Sequence, residues 1–302
     1  MTQKHIPPPL VKNKSPWGSL VLLCSLVVLG ALGGQLVASV IYFFTGDPGG
    51  AMHTTLNAKQ PLLVLQATTA SGAFILAPLL YLHIFVCQGI KTLFQRHPSY
   101  TILALATLNL TLAFMVVNTW FIQWNMAIKL PTWLSAFEMW AQEKEATLQR
   151  ITTLMTSFHS LAGLGAGILV MGIIPAIGEE LLFRGLVQPI LYQLTNNIHW
   201  AIGISAFAFS ALHLQFYGFV PRLLLGALFG YIYWWTRNLL FPIIAHWFNN
   251  TLTLLLLFLH QHGIITQDIS ALKAPPGRII LLCATLVVVL ANLLQRRGQR
   301  RY

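Results

Sequence analysis

Apolar residues occur in long runs along this chain, and short polar breaks separate the runs. They cover about residues 19–44, 61–87, 100–125, 160–194, 197–214, 218–236, 239–259 and 278–295. Each run has 18 residues or more, which is close to or above the ~20 that a helix needs to cross the hydrocarbon core of a bilayer. The pattern therefore predicts an all-α, polytopic transmembrane helical bundle with about eight spans.

Residues 133–150 depart from this pattern because they are richer in charged side chains. Trp133, Phe137 and Trp140 recur at spacings of four and three, which places them on one face of a helix. An aromatic face opposite a charged face is typical of a helix that lies in the membrane interface. An ordinary amphipathic helix packed on the bundle fits the same pattern.

These features divide the chain into five segments. We expect a cytoplasmic N-terminal tail (1–18), three N-terminal transmembrane helices (19–130), an interfacial amphipathic helix (131–157), a helical core with the candidate chemistry (158–260), and a final loop, span and basic tail (261–302).

The composition supports a membrane protein, since 56% of the 302 residues are hydrophobic and only 8% are charged. Soluble domains carry roughly 25% charged residues. The net charge of +11 could suggest a nucleic-acid partner, but the basic residues cluster at the tails and in the gaps between runs. That distribution is the positive-inside pattern of membrane proteins, so we expect no nucleic-acid partner.

The same basic residues predict the orientation. Placing both termini in the cytoplasm assigns ten lysines and arginines to that side and seven, Arg222 among them, to the outside. Both tails are basic, which favours cytoplasmic termini. The three cysteines lie inside apolar runs without a C-x-x-C pattern, so neither a disulfide framework nor a zinc knuckle is indicated.

Two adjacent glutamates, Glu179 and Glu180, lie in the middle of the apolar run 160–194. A charged side chain at membrane depth costs about 2.5 kcal/mol or more, so a function or a partner must compensate. Glu180 and Arg184 are spaced i, i+4 in the order that favours an ion pair. Glu179 is turned about 100° away, which leaves its carboxylate free to act as a general base. The alternative is a structural role for both glutamates.

Two further apolar runs supply histidines. Phe209 and His213 form an F-x-x-x-H pattern, and His246 and Asn250 form an H-x-x-x-N pattern. The spacing of four places His246 and Asn250 on one side of their helix. A lone intramembrane histidine more often bonds two helices together than catalyses a reaction. Polar faces on three nearby helices are harder to explain in that way.

The ordered set E-E-x-x-x-R, F-x-x-x-H and H-x-x-x-N on successive apolar helices resembles the CPBP family of intramembrane proteases. This family, also called the ABI family, comprises type II CAAX prenyl endopeptidases and bacteriocin-processing enzymes. The resemblance covers about residues 160–255 and does not extend to residues 1–130 or to the last span.

The resemblance implies hydrolysis of a peptide bond inside a membrane-embedded cavity. By position, Glu179 and His213 would activate a water molecule. His246 and Asn250 would stabilise the tetrahedral oxyanion, which is a task for preorganised donors in a dry site. The predicted ion pair on the glutamate helix would be structural and would hold the base in place.

A zinc ion is the alternative form of this site. Glu179, His213 and His246 could bind zinc with water as the fourth ligand, and the family is often labelled a metalloprotease. However, the chain has no H-E-x-x-H motif, and the three ligands come from separate helices. A water activated by Glu179 without a metal also accounts for Asn250, so we favour no cofactor and keep zinc as the alternative.

Two other functions share some of these features. A proton-coupled secondary transporter also uses buried Glu, His and Arg, but the internal repeat typical of transporters is not found. A non-catalytic immunity or scaffold protein of the same fold should lack one of the four candidate catalytic residues, and all four are present.

The expected setting follows from these interpretations. We expect a membrane protein or peptide as the substrate and the lipid bilayer as the surroundings. The expected location is the bacterial inner membrane, as an integral multi-pass protein with both termini in the cytoplasm.

Overall fold

The computed structural model describes residues 15–45, 59–87, 89–95, 99–266 and 274–298, and most of them are helical. They contain no β-strand, and one isolated bridge joins Phe94 to Asn238. Most of the predicted N-terminal tail and the end of the basic C-terminal tail lie outside the described residues. The predicted all-α helical bundle is confirmed.

The main helices are numbered here in chain order. They are α1 (Pro16–Thr45), α2 (Lys59–Val86), α3 (Tyr100–Met126), α4 (Ser135–Met155), α5 (Leu161–Thr195), α6 (Ile198–Ala211), α7 (Phe219–Thr236), α8 (Leu240–Gln261) and α9 (Gly277–Gly298). Short 3₁₀ turns lie at Ile90–Leu93 and Thr132–Leu134.

Six of the described helices, rather than the eight predicted, are long and apolar enough to cross a membrane: α1, α2, α3, α5, α8 and α9. Helix α6 has only 14 residues. At about 1.5 Å per residue it spans roughly 21 Å, which is less than the ~30 Å of a hydrocarbon core. Helix α7 has 18 residues, and these include a proline and an arginine near its start.

The predicted spans 197–214 and 218–236 are therefore two shorter helices, and they pack against each other. The chain is still an integral membrane protein, because six long apolar helices remain. An even number of spans, six as well as eight, places both ends of the chain on the same side of the membrane. The prediction that both termini share one side is therefore unchanged.

The 35-residue helix α5 changes its winding on both sides of the two glutamates. An α-helical segment, Ile174–Glu180, lies between two π-helical segments, Ile168–Ile173 and Leu181–Val187. π-Helical turns inside α-helices are frequent at functional sites. Gly178 allows α5 to approach α2 here, since a Cβ at this position would lie 2.8 Å from the Cβ of Phe74.

Two clusters of buried apolar residues hold the bundle together. One cluster includes Leu23, Tyr81 and Phe209 and joins α1 and α2 to α5, α6 and α7. The other includes Phe229 and Leu294 and joins α3 and α9 to α7 and α8. Because α7 contributes to both clusters, its position is fixed relative to α5 and α8, which carry most of the candidate site.

Helix α4 has the exposed aromatic residues expected from its sequence. Trp133, just before α4, is 78% exposed, and Trp140 is 43% exposed. On another face, Glu145 accepts a hydrogen bond from the Gln215 side chain at 3.3 Å. Helix α4 therefore contacts the loop between α6 and α7. Its location at the membrane interface stays a prediction.

Candidate active site

A cavity of about 240 Å³ lies between α2, α5, α7 and α8 and the end of α6. All four residues predicted to be catalytic line it. Glu179 comes from α5, His213 follows the end of α6, and His246 and Asn250 come from α8. The geometry thus brings together side chains that are up to 71 positions apart in the sequence.

The two adjacent glutamates point in different directions, because consecutive residues of an α-helix are about 100° apart. Glu179 lines the cavity and its side chain is 13% exposed. Glu180 is fully buried, and its Oε1 atom lies 2.8 Å from Nη1 of Arg184. The contact predicted from the i, i+4 spacing is therefore present.

Arg184 is held by more than this ion pair. Its Nη2 donates to the backbone oxygen of Gly226 on α7 at 2.7 Å. Its guanidinium carbon lies 4.9 Å from the centre of the Phe209 ring and 5.5 Å from that of Phe229. The guanidinium therefore links α5 to α6 and α7 behind the cavity, where an unpaired charge would be very unfavourable.

Glu180 has a second partner that the sequence did not indicate. Nδ1 of His246 lies 2.9 Å from the same Oε1 atom that binds Arg184. Because a carboxylate oxygen accepts this bond, Nδ1 carries the hydrogen. The other ring nitrogen, Nε2, lies 3.9 Å from Oε2 of Glu179. Glu180 thus orients His246 so that Nε2 is on the side of Glu179.

His213 is oriented by a backbone carbonyl. Its Nδ1 lies 2.9 Å from the oxygen of Phe209, and a carbonyl oxygen can only accept, so Nδ1 carries the hydrogen. In the neutral ring, Nε2 then has the free lone pair and can accept a proton. The next residue, Leu214, has φ +54°, a conformation that is uncommon outside glycine. This sharp turn follows His213 at the end of α6.

Asn250 is tied to α5. Its Nδ2 donates to the backbone oxygen of Met171 at 3.1 Å, and its Oδ1 accepts from Nδ2 of Asn249 at 3.0 Å. One of the two N–H groups of Asn250 is therefore engaged by the protein. The other is the one that could donate to a ligand in the cavity.

Three further polar residues line the cavity: Gln66 on α2, Arg222 on α7 and Asn249 on α8. None of them is among the site residues predicted from the sequence. The charge count placed Arg222 on the outer side without a role, whereas the structure has it as the fourth residue of helix α7, at the cavity wall. The sequence does contain a signal for Arg222, because a charged arginine inside an apolar run is as costly to place in a membrane as the two glutamates are. Gln66 and Asn249 are uncharged and carry no comparable signal.

The zinc alternative would use Glu179, His213 and His246. Among the described residues, no group of three or more His, Cys, Asp or Glu side chains is placed to hold a metal ion. Nδ1 of His246 is engaged by Glu180, so a metal in this cavity would be held through Nε2, which lies 3.9 Å from the Glu179 carboxylate.

Comparison with known proteins adds one finding. Residues 162–252 match the family described as Type II CAAX prenyl endopeptidase Rce1-like. The match runs from the start of α5 into α8 and contains every residue predicted to be catalytic. It confirms the family resemblance and supports a protease. Neither a curated protein nor a solved structure matches the chain.

Proposed function

Since residues 162–252 match a family of membrane proteases, we propose that this chain is an intramembrane endopeptidase. Its substrate would be a membrane-associated protein or peptide. The observation that carries the proposal is the convergence of Glu179, His213, His246 and Asn250 on one cavity. These residues come from three parts of the chain, α5, the end of α6 and α8, and a purely structural role would not require them to face the same space.

In the proposed reaction, Glu179 acts as the general base. Its carboxylate, assisted by Nε2 of His213, takes a proton from a water molecule while the water oxygen forms a bond with the scissile carbonyl carbon. The carbonyl oxygen becomes an oxyanion. The C–N bond then breaks, and the leaving amine takes the proton from Glu179. The products are a new carboxylate and a new amine, as peptide hydrolysis requires.

The oxyanion would be stabilised by His246 and Asn250. Nε2 of His246 can donate when the ring is protonated, and Asn250 has one N–H that no described residue engages. Donors that are already oriented are worth far more in a water-poor cavity than in bulk water. Glu180 and Arg184 would be positioning residues, because Glu180 orients His246 and Arg184 compensates its charge.

The proposal is tested by comparing the peptides in membranes that contain the wild-type protein with those that contain Glu179→Gln. New peptide termini should appear with the wild type and with the control variant but not with Glu179→Gln, and a synthetic peptide across the junction should be cleaved by the purified protein. Glu143→Gln is the matched control, since Glu143 is an exposed carboxylate on α4. Identical peptide termini in all three samples would contradict a protease.

The proposed topology places both termini in the cytoplasm and α4 on the outer side of a bacterial inner membrane. It can be tested in a variant without the three native cysteines. A cysteine at Ser15 should be protected from a membrane-impermeant reagent added outside, and a cysteine at Glu143 should react. Labelling of position 15 from outside would contradict this topology.

A further inference from the structure

Arg222 has no role in the mechanism described above, although it lies at the cavity wall with Glu179 and His213. It is the fourth residue of the largely apolar helix α7. Ionisable side chains in membrane segments are costly to keep and usually serve a function. Its surroundings indicate which function this cation serves.

The guanidinium of Arg222 is only partly paired. Nη2 donates to Oε1 of Gln215 at 2.7 Å, and Gln215 in turn donates to Glu145 on α4. Nη1 is buried and has no hydrogen-bond partner within the part of the chain that the structure describes. The ion pairs in that part of the chain involve Glu179 and Glu180, and none includes Arg222. A buried N–H donor without an acceptor is unfavourable unless a ligand supplies one.

The other donors around the cavity are largely engaged by the protein. Asn250 donates to Met171, Nδ1 of His213 lies against the Phe209 oxygen, and Nδ1 of His246 lies against Glu180. Arg222 therefore combines a permanent positive charge with a donor nitrogen that no described residue engages. Guanidinium groups suit negatively charged oxygens because their N–H groups are planar and fixed in direction.

The segment that carries Arg222 is held by buried asparagines of α3. The Asn125 side chain donates to the oxygen of Phe216 at 3.2 Å and accepts from the backbone nitrogen of Val220 at 2.9 Å. Asn118 donates to the oxygen of Pro221 at 3.3 Å. These amides fix the start of α7, so the position of Arg222 does not depend on a loop alone.

Gly218 makes room for the same guanidinium. A Cβ at Gly218 would lie 3.2 Å from Nη2 of Arg222 and 3.3 Å from Nη1. These distances are tighter than most Cβ contacts, so a side chain at Gly218 would require the guanidinium to shift by a few tenths of an ångström.

We propose that Arg222 binds a negatively charged oxygen of the peptide held in the cavity. The inference rests on the proposed protease function and adds a substrate-binding residue to it. Two oxygens of a peptide have this chemistry: the oxyanion formed at the scissile carbonyl and the carboxylate at a free C-terminus. Both are recognised by charge-assisted hydrogen bonds, which are stronger than neutral ones.

Binding is tested first, in a background that cannot cleave. Purified Glu179→Gln protein is titrated with N-acetyl-trileucine as the free acid and as the C-terminal amide. If the anion is a carboxylate, the acid should bind about 10- to 100-fold more tightly, as expected for hydrogen bonds to a charged group. Adding Arg222→Gln should abolish this preference. Adding Lys129→Gln, which removes an exposed positive charge near the end of α3, should leave it unchanged.

Kinetics test the other source of the anion. Equal binding of the acid and the amide would point to the oxyanion. In that case Arg222→Gln should lower kcat by about 10²-fold or more for the peptide identified from membranes, while KM stays the same. The reason is that the oxyanion exists only during the reaction. Arg222→Lys keeps the charge and should retain part of either effect. It is also the variant to use if Arg222→Gln does not accumulate.

Equal binding of acid and amide, together with wild-type kcat and KM in Arg222→Gln, would overturn the inference. If no stable Arg222→Gln protein is obtained, Arg222→Lys with wild-type binding and kinetics would overturn it as well. If the protein cleaves no peptide, but its preference for the free acid is lost when Arg222 is replaced, the anion-binding site is supported. The same result would refute the proposed protease function.

Discussion

Replacing each of the two adjacent glutamates with glutamine should separate catalysis from stability. Glu179 lines the cavity, and the nearest ionisable nitrogen, Nε2 of His246, is 3.9 Å away, beyond hydrogen-bond distance. Glu179→Gln removes the base and breaks no side-chain hydrogen bond among the described residues. Glu180 is fully buried and accepts from Arg184 at 2.8 Å and from His246 at 2.9 Å. Glu180→Gln therefore leaves a buried guanidinium without its counter-charge.

The expected magnitudes differ accordingly. Glu179→Gln should lower kcat by about 10²–10⁴-fold, the usual contribution of general acid–base catalysis, and should change the free energy of unfolding by about 1 kcal/mol or less. Breaking a buried ion pair from one side costs roughly 3–5 kcal/mol. At about 2–4 °C per kcal/mol, Glu180→Gln should lower Tm by roughly 6–20 °C. Its activity should fall as well, because His246 loses the charged acceptor that orients it.

The assay is peptide cleavage beside thermal unfolding in detergent for both variants. A third variant, Glu180→Gln combined with Arg184→Met, should recover part of the lost Tm because no unpaired charge remains. Its activity should stay low, since the bond from Glu180 to His246 is still altered. The reasoning would be refuted if Glu179→Gln were the unstable variant, or if it cleaved the peptide at the wild-type rate.

Two further predictions concern the framework around the site, and a third concerns its dependence on a metal. Asn125→Ala removes two of the hydrogen bonds that hold the start of α7 and should lower stability by about 2–4 kcal/mol and reduce activity. Asn109→Ala removes an exposed asparagine of the same helix and should change Tm little, so equal effects would contradict the anchoring role. A Cβ at Gly30 would overlap the backbone of α2, whereas one at Gly33 would meet no other atom. Gly30→Ala should therefore lower the free energy of unfolding by about 1–3 kcal/mol, and Gly33→Ala should be tolerated. The same Tm for both variants would exclude close packing of α1 on α2. Cleavage should survive dialysis against a metal chelator, because a water molecule activated by the Glu179 carboxylate needs no metal. Loss of activity that zinc alone restores would contradict this.

The sequence predicts the helices and the local contacts well, since both depend on residues close together in the chain. The apolar runs become α1, α2, α3, α5, α8 and α9 because each run can cover a helix with enough hydrophobic surface for lipid. The contact between Glu180 and Arg184 follows from the i, i+4 geometry of one helix. The different directions of Glu179 and Glu180 follow from the same geometry. The ordered motifs also indicate the resemblance to a protease family before any packing is known.

Tertiary structure decides what depends on how the helices pack. No spacing in the sequence indicates that His246 on α8 binds Glu180 on α5, because that bond exists only where the two helices meet. The number of spans also changes, since α6 ends after 14 residues at the turn that carries His213. The charge count places Arg222 on the outer side and gives it no role, yet it lines the cavity, where Asn125 of α3 holds the start of α7. The physical reason is common to all three: charges and apolar runs can be counted along the chain, whereas hydrogen bonds between helices depend on distances that only the folded bundle fixes.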